Sequence, residues 1–341
     1  MSGRTDAEVL QGSIERMVAD LSGGLPAPVA IERQASRCSS SYASDIVTVE
    51  LPGNKKLRMF LKNFGTSYIA KNGMRARRER ELGAYRDLLA QADLGTARYY
   101  GSVWDESQGR FWLLLEFVDA VPVRYCEFEY WVEAAAWLGR MHGYFSRHQD
   151  RLASCDFLLR HSADYFSSVA EVALEAVAQI ADDLLARLKK ALSGYDRIVT
   201  VMASQPLSLV HGAYVPSQIL VEQQAEGIRI CPIDWELAAV GSPLYDLAFF
   251  SDGFQPPKLD RIWEAYRQEA VNRDVFVPDR ETMRDVVDCF RLHKVINWLS
   301  QSKERAFPEQ EVANLVGMAE QFAHLCDGRV ASGLSGFRRR V

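Results

Sequence analysis

Between Asp6 and Leu21 the apolar positions Val9, Ile14, Met17, Val18 and Leu21 share one face at the helical repeat, which predicts an amphipathic helix over 6–21. Ser22-Gly-Gly-Leu-Pro-Ala-Pro28 ends it, because glycine and proline interrupt helical propagation. Strand-like runs follow at Val29–Arg33, Asp45–Leu51 and Lys56–Lys62, with Pro52-Gly-Asn54 as a hairpin turn between the last two. A charged helix is predicted over Arg75–Ala90. Two further strands, Ala97–Trp104 and Phe111–Phe117, flank a polar turn at Asp105–Gly109. Beyond residue 120 the helical repeat takes over, at Glu127–Phe145, Ser162–Leu192, Leu259–Ala270, Arg280–Ser300 and Glu309–Cys326, with the tail from Ala331 expected to fray. A strand-loop-strand island, Leu207–Ile233, interrupts these helices. There is no internal repeat and no low-complexity tract.

Strands first and helices later is an α+β layout. With 341 residues the chain suggests two lobes. We expect a first lobe over 1–117, carrying the N-terminal helix 6–21, a connection at 118–122, and a helical lobe over 123–341. A cleft near Val118–Pro122 is where a small ligand would bind. Composition is that of an ordinary soluble domain, 48% hydrophobic and 25% charged. The net charge of −5 divides into +1 over the first 120 residues (16 basic, 15 acidic) and −6 over the rest (24 basic, 30 acidic). That balance offers no basic stripe, which argues against nucleic acid as a partner. Six cysteines stand at least 29 residues apart, so no zinc or redox spacing exists and reduced thiols are expected. Met1–Leu21 is polar and lacks the apolar core of a signal peptide. No run reaches the length of a membrane span. These features predict a cytoplasmic protein with no membrane partner.

The chemistry concentrates in the island. Ser208-Leu-Val-His-Gly-Ala-Tyr-Val-Pro-Ser-Gln-Ile-Leu-Val221 runs from a buried strand into a polar loop and out into a strand; Ile230-Cys-Pro-Ile-Asp-Trp-Glu236 is a second strand ending in an acid. This resembles the aminoglycoside phosphotransferase and choline kinase family, in which the first loop reads His-Gly-Asp, with an Asn five residues after the Asp. The second strand there ends in Ile-Asp-Trp or Ile-Asp-Phe. His211, Gly212, the spacing from 213 to 218, and Asp234 match. Gly241-Ser-Pro-Leu-Tyr-Asp-Leu-Ala248 resembles the family's Gly-Asp-Pro-x-x-Asp-Leu-Ala stretch. Upstream, Phe60-Leu-Lys62 resembles the strand with the phosphate-binding lysine, and Glu81 its helical partner, with Glu79 as rival. In kinases such a pair holds the lysine over the phosphates. Leu113–Val118, including Glu116 and Val118, resembles the hinge, and Leu138-Gly-Arg-Met-His142 the helix after it.

The resemblance implies a bilobed protein-kinase-like fold, with an N-terminal five-stranded antiparallel sheet and one helix ahead of a mainly helical C-terminal lobe. It implies ATP as substrate and Mg²⁺ as cofactor, with Asp234 and position 218 as metal ligands, a catalytic loop at 211–218, and transfer of the γ-phosphate to a hydroxyl. Asp246 and His211 are expected to brace that loop, His142 to pack in the core, and the Arg75–Arg80 cluster to form a solvated helix face. Two positions depart from the pattern. Ala213 stands where the family has its catalytic Asp, and Gln218 where it has the metal-binding Asn. The glycine-rich loop is replaced by Arg37-Cys-Ser-Ser-Ser-Tyr-Ala-Ser44, whose Ser39, Ser40 and Ser41 could cover phosphates. A general base supplies about 10²–10⁴-fold. Two readings therefore stand. One is a phosphotransferase, weakened at one position, acting on a small molecule or natural-product precursor. The other is a pseudokinase that binds nucleotide and regulates or scaffolds a protein partner, with a kinase-like component of a peptide-tailoring complex, phosphorylating Ser or Thr, as a variant.

Overall fold

The N-terminal helix α1 (Asp6–Leu21) buries Leu10, Ile14, Met17 and Val18 against one face of an antiparallel sheet. The sheet contains β1 (Ala30–Ala35), β2 (Tyr42–Leu51), β3 (Lys55–Ser67), β4 (Tyr99–Asp105) and β5 (Arg110–Glu116), in the order β1-β2-β3-β5-β4. The covered face is lined by Val47, Val49, Met59, Leu61, Trp112 and Leu114, all nearly or wholly inaccessible. Each such side chain contributes roughly 1.5–3 kcal/mol on burial. Asp6 at the start of α1 accepts a 2.6 Å hydrogen bond from Arg110, which fixes where the helix lands on the sheet. Side chains alternate along a strand, so Lys62 and Phe64 point away from the face that carries Leu61. The computed structural model describes every residue except 1–4, 22–27, 29, 37–40, 70–72, 226, 274, 276 and 334–341.

Two units emerge, Met1–Val121 with Leu220–Glu236, and Pro122–Ile219 with Leu237–Val341. The segment ending in Asp234, which the sequence pattern leaves among the helices, thus belongs with the sheet-bearing unit. The charged helix expected over 75–90 is α2 (Met74–Gly83), followed by a π turn (Ala84–Leu88) and a single 3₁₀ turn (Leu89–Gln91). This unit also holds the strand Gly227–Pro232, hairpin partner of the strand Ile219–Gln224.

The second unit is built on α3 (Phe128–Ser146), α4 (Gln149–Ala153), α5 (Ala163–Ala178), α6 (Asp182–Ala191), α7 (Tyr195–Ala203), α8 (Pro243–Phe250), α9 (Lys258–Val271), α10 (Arg280–Ser300) and α11 (Glu309–Gly333). The single helix expected over 162–192 is instead α5 and α6. Gln179 closes the first, and Asp182 and Asp183 open the second, where their charge suits a helix N-terminus. Helices α3 and α9 approach closely because Gly139 has no side chain; a Cβ there would stand 2.5 Å from the carbonyl oxygen of Tyr266. Helix α10 is buried along much of its length and packs against α5, α7, α8 and α11. A small sheet of Leu159–Arg160, Ala239–Gly241 and Ser208–Val210 sets the start of the 211–218 loop beside the start of α8.

Candidate functional site

In the sheet-bearing unit, three sequence-predicted residues meet. The Lys62 ammonium donates to both carboxylate oxygens of Glu81, at 2.9 and 2.7 Å, and to Oδ1 of Asp234 at 2.7 Å. Strand β3 presents the lysine and α2 the glutamate, whose side chain is 2% exposed. Asp234 is reached through a left-handed backbone conformation, φ 68°, unusual for a residue with a side chain. Such outliers persist where the surrounding structure holds them, and they cluster at functional sites. The rival Glu79 is half-exposed and pairs with Arg75.

Charge in this cluster is tightly coupled. Burial alone would lower the Lys62 ammonium, but Asp234 and Glu81 outweigh it and hold the group above its ordinary range. Burial pushes the Glu81 carboxyl up to about 7, with Lys62 opposing and the charges of Asp234 and Glu236 adding. Glu81, Asp234 and Glu236 each offer a carboxylate oxygen, all within 4.8 Å of one another. Such clustered hard oxygen donors are the chemistry a magnesium ion takes.

Three neighbours of this cluster were not legible in the sequence as site residues. Glu236 is 7% exposed and pairs with Arg77 at 3.1 Å. Arg80 is 6% exposed and donates to the Glu236 carbonyl oxygen at 2.6 Å. This corrects the expectation of a solvated arginine face: Arg75 is solvated, but Arg77 and Arg80 turn inward and tie α2 to the Asp234–Glu236 segment. Tyr42 is buried, with its ring 5.4 Å from the Lys62 ammonium; burial and the nearby Glu236 charge push its phenol up to about 12.

The other predicted nucleotide contacts fall in the same unit. The Glu116 carboxylate is held by Arg229 at 2.7 Å on each oxygen. The Glu116 and Phe117 amides donate to Arg98 and Arg58 carbonyl oxygens, and Val118 follows, largely buried. The Ser41 carbonyl accepts from the Tyr68 amide and the Ser67 hydroxyl. Ser39 and Ser40 lie outside the described residues.

In the helical unit, the start of the 211–218 loop is braced by buried side chains. Asp246, 0% exposed at the first turn of α8, accepts from the backbone amides of His211 at 2.6 Å and Gly212 at 3.0 Å. His142 stands 3.4 Å from the same carboxylate and shares a 3.2 Å hydrogen bond with the Tyr266 hydroxyl. The His211 ring is buried, and its Nδ1 accepts from the Ala213 amide at 3.3 Å. A buried ring committed to its own loop is a brace, as the sequence suggests. Gly212 has φ 79°, and a Cβ there would stand 2.1 Å from the Leu237 carbonyl oxygen, so this position admits only glycine. Ala213 is half-buried. The amide of Gln218 donates to the Val215 carbonyl at 2.9 Å and the side chain is half-buried. Tyr214, wholly buried, donates to the Ala134 carbonyl and stacks on Trp137.

A family model described as the phosphotransferase enzyme family matches residues 49–285. No curated protein matches the sequence. Among solved structures, the chain resembles choline kinase from Cryptosporidium parvum, with a TM-score of 0.63, 16% identity, and coverage of 97% of this chain and 99% of that one. It also resembles an aminoglycoside 2'-phosphotransferase IIIa mutant in complex with GDP, at TM-score 0.60, 13% identity and coverage of 93% and 99%. A third is a thermostable mutant of aminoglycoside phosphotransferase APH(4)-Ia in ternary complex with ADP and hygromycin B, at TM-score 0.53, 14% identity and coverage of 92% and 98%. At these identities the likeness establishes the protein-kinase-like fold. No helix among the described residues is long and apolar enough to cross a membrane.

Proposed function

This chain belongs to the phosphotransferase enzyme family, and on that premise we propose that it binds a magnesium-nucleotide, ATP by expectation, and transfers the γ-phosphoryl group to a hydroxyl of a small molecule or natural-product precursor. The observation that carries the reading is the Lys62 ammonium held between Glu81 and Asp234. Lys62 contacts the nucleotide phosphates and Glu81 keeps it aimed, as such a pair does in kinases. Asp234 offers an oxygen ligand to magnesium, with Glu81 and Glu236 beside it, and the metal when bound would neutralise charge developing on the phosphates. Ser41 would contribute to covering the phosphates, and the backbone at Glu116–Val118 would contact the base.

A ligand that binds only the folded chain raises its melting temperature. Millimolar Mg-ATP should therefore raise it for the parent and much less for Lys62→Ala and Asp234→Ala. An unchanged parent, or equal shifts in all three, would sink the proposal.

The second reading, a pseudokinase that scaffolds a partner, is favoured by Ala213. Transfer to a hydroxyl without a positioned base forfeits about 10²–10⁴-fold, or roughly 3–5 kcal/mol. Mg-ATP binding without turnover on any acceptor class would support it. A peptide acceptor in a tailoring complex remains a variant of either reading.

A further inference from the structure

Helix α2 meets the 234–236 segment through one face. Arg80 and Glu81 follow Arg77 by three and four positions, so the three side chains leave the same side of the helix. The Arg80 guanidinium donates to the Glu236 carbonyl oxygen at 2.6 Å, and the Arg77 guanidinium to the Glu236 carboxylate at 3.1 Å. Glu81 is joined to Asp234 through the Lys62 ammonium, which bonds both. All of these residues belong to the sheet-bearing unit. Arg75 on the same helix shows what a surface arginine does here: it pairs with the partly exposed Glu79 and Glu106 and reaches neither Asp234 nor Glu236.

Glu236 is thus held by main chain and side chain alike, two residues beyond Asp234. The backbone of Asp234, at φ 68°, lies in a region where a residue with a side chain stays only if its surroundings hold it. A short bond to the carbonyl two residues on limits how far that backbone can relax. Relaxation would swing the Asp234 carboxylate away from where Lys62 and a metal ion meet it. Groups that touch the ligand's own segment, and not the ion, decide where a ligating oxygen points.

We propose that Arg80, with Arg77 beside it, is a positioning residue for magnesium: the two arginines hold the segment that keeps Asp234 in its left-handed conformation and its carboxylate in place. The inference rests on the magnesium-nucleotide reading and deepens it. One helix then sets two parts of the same site, Glu81 aiming the lysine and the arginines aiming the metal ligand. Position and charge make opposite predictions. Glu81, Asp234 and Glu236 already gather three carboxylates within 4.8 Å. Removing a cation from beside them would, by Coulomb attraction alone, draw Mg²⁺ in more tightly. Losing the position of Asp234 would loosen it.

The test melts the full chain with millimolar ATP across a Mg²⁺ titration and reads the Mg²⁺ concentration that gives half of the rise in melting temperature. Arg80→Gln should raise that midpoint about 10–100-fold, the usual cost of losing such a support, and Arg77→Gln should raise it several-fold. At saturating Mg²⁺ the rise should approach the parent's, because Lys62 and Glu81 are intact. Arg80→Lys and Arg77→Lys keep a donor and should each recover part of the loss. Arg75→Gln should leave the midpoint where it is. If Arg80→Gln fails to fold, Arg77→Gln decides. Midpoints within two-fold of the parent's, or below it, overturn this inference alone. So does a smaller rise at saturating Mg²⁺ with an unmoved midpoint, which is what a merely structural role would give. A parent whose melting temperature does not respond to Mg-ATP overturns the nucleotide reading and this inference with it.

Discussion

Asp246 should be worth more to this fold than its single charge suggests. It is wholly buried, and both its carboxylate oxygens accept from loop amides, at 2.6 Å from His211 and 3.0 Å from Gly212. Hydrogen bonds to a charged group contribute about 1.5–3 kcal/mol each, and a buried donor left without an acceptor costs about 1–3 kcal/mol. Asp246→Ala removes both acceptors, so a loss of about 3–6 kcal/mol is expected. Asp246→Asn keeps one acceptor but turns an amide NH₂ toward the other backbone N–H, donor against donor; about 2–4 kcal/mol should go. Urea unfolding at unchanged m reads the total. Amide exchange over residues 208–215 reads the loop, and protection there should fall in both variants before protection elsewhere does. Two variants within about 0.5 kcal/mol of the parent, with unaltered exchange at His211 and Gly212, would refute the bracing role.

Gly212→Ala should destabilise the helical unit by more than about 2 kcal/mol, since the added Cβ meets a backbone carbonyl at 2.1 Å and the conformation disfavours side chains; a melting curve checks it. The Glu116 carboxyl, half-buried, is raised by burial but held below the ordinary range overall by hydrogen bonds from Arg229 and the Arg98 amide. A depressed folded-state value contributes stability above the unfolded pKa near about 4.3, lost as pH falls through the lower folded value. Glu116→Gln should therefore cost about 1–2 kcal/mol near pH 7 and progressively less as pH falls below about 4, measured by denaturant melts across that range. Thiol labelling of unfolded, unreduced chain should count six; Cys126, Cys155, Cys231, Cys289 and Cys326 are free in the structure, and Cys38 lies outside the described residues.

Periodicity carried most of the architecture. The limits of α1 and α10 coincide with the hydrophobic pattern, as does the hairpin at 52–54. The pattern failed where no residue punctuates a boundary. The break between α5 and α6 contains neither glycine nor proline, and the π turn after α2 has the same composition as a helix. Helix α7 and the short strands Leu159–Arg160 and Ala239–Gly241 were too brief to show a repeat, whereas the buried strand Ser208–Val210 leading into the loop was legible. In the site, Lys62 and Asp234 were legible because each ends or punctuates an apolar strand. Arg77, Arg80 and Glu236 were not, because a charged residue in a charged run reads as solvated. Only the fold turns Arg80 inward, while Arg75, five positions earlier, stays in solvent.

The buried charges of the sheet-bearing unit bear on whether this is an enzyme or a scaffold. Glu81 and Glu236 are taken out of water, at 1% and 7% exposure, and Lys62, Asp234 and Arg77 are partly withdrawn from it beside them. Removing an ion from water costs several kcal/mol, and pairing returns that only in part; well-packed apolar residues of similar volume are often as stable or more so. Packing alone therefore gives no reason for three carboxylates within 4.8 Å of one another. Strongly displaced carboxyls such as that of Glu81 gather where a site needs fixed charge. The left-handed backbone at Asp234 adds a local cost in the same segment. A scaffold that used only its surface would be relieved of all this by ordinary apolar substitution. The cluster makes physical sense if nucleotide phosphates and a metal ion redistribute its charge when they bind.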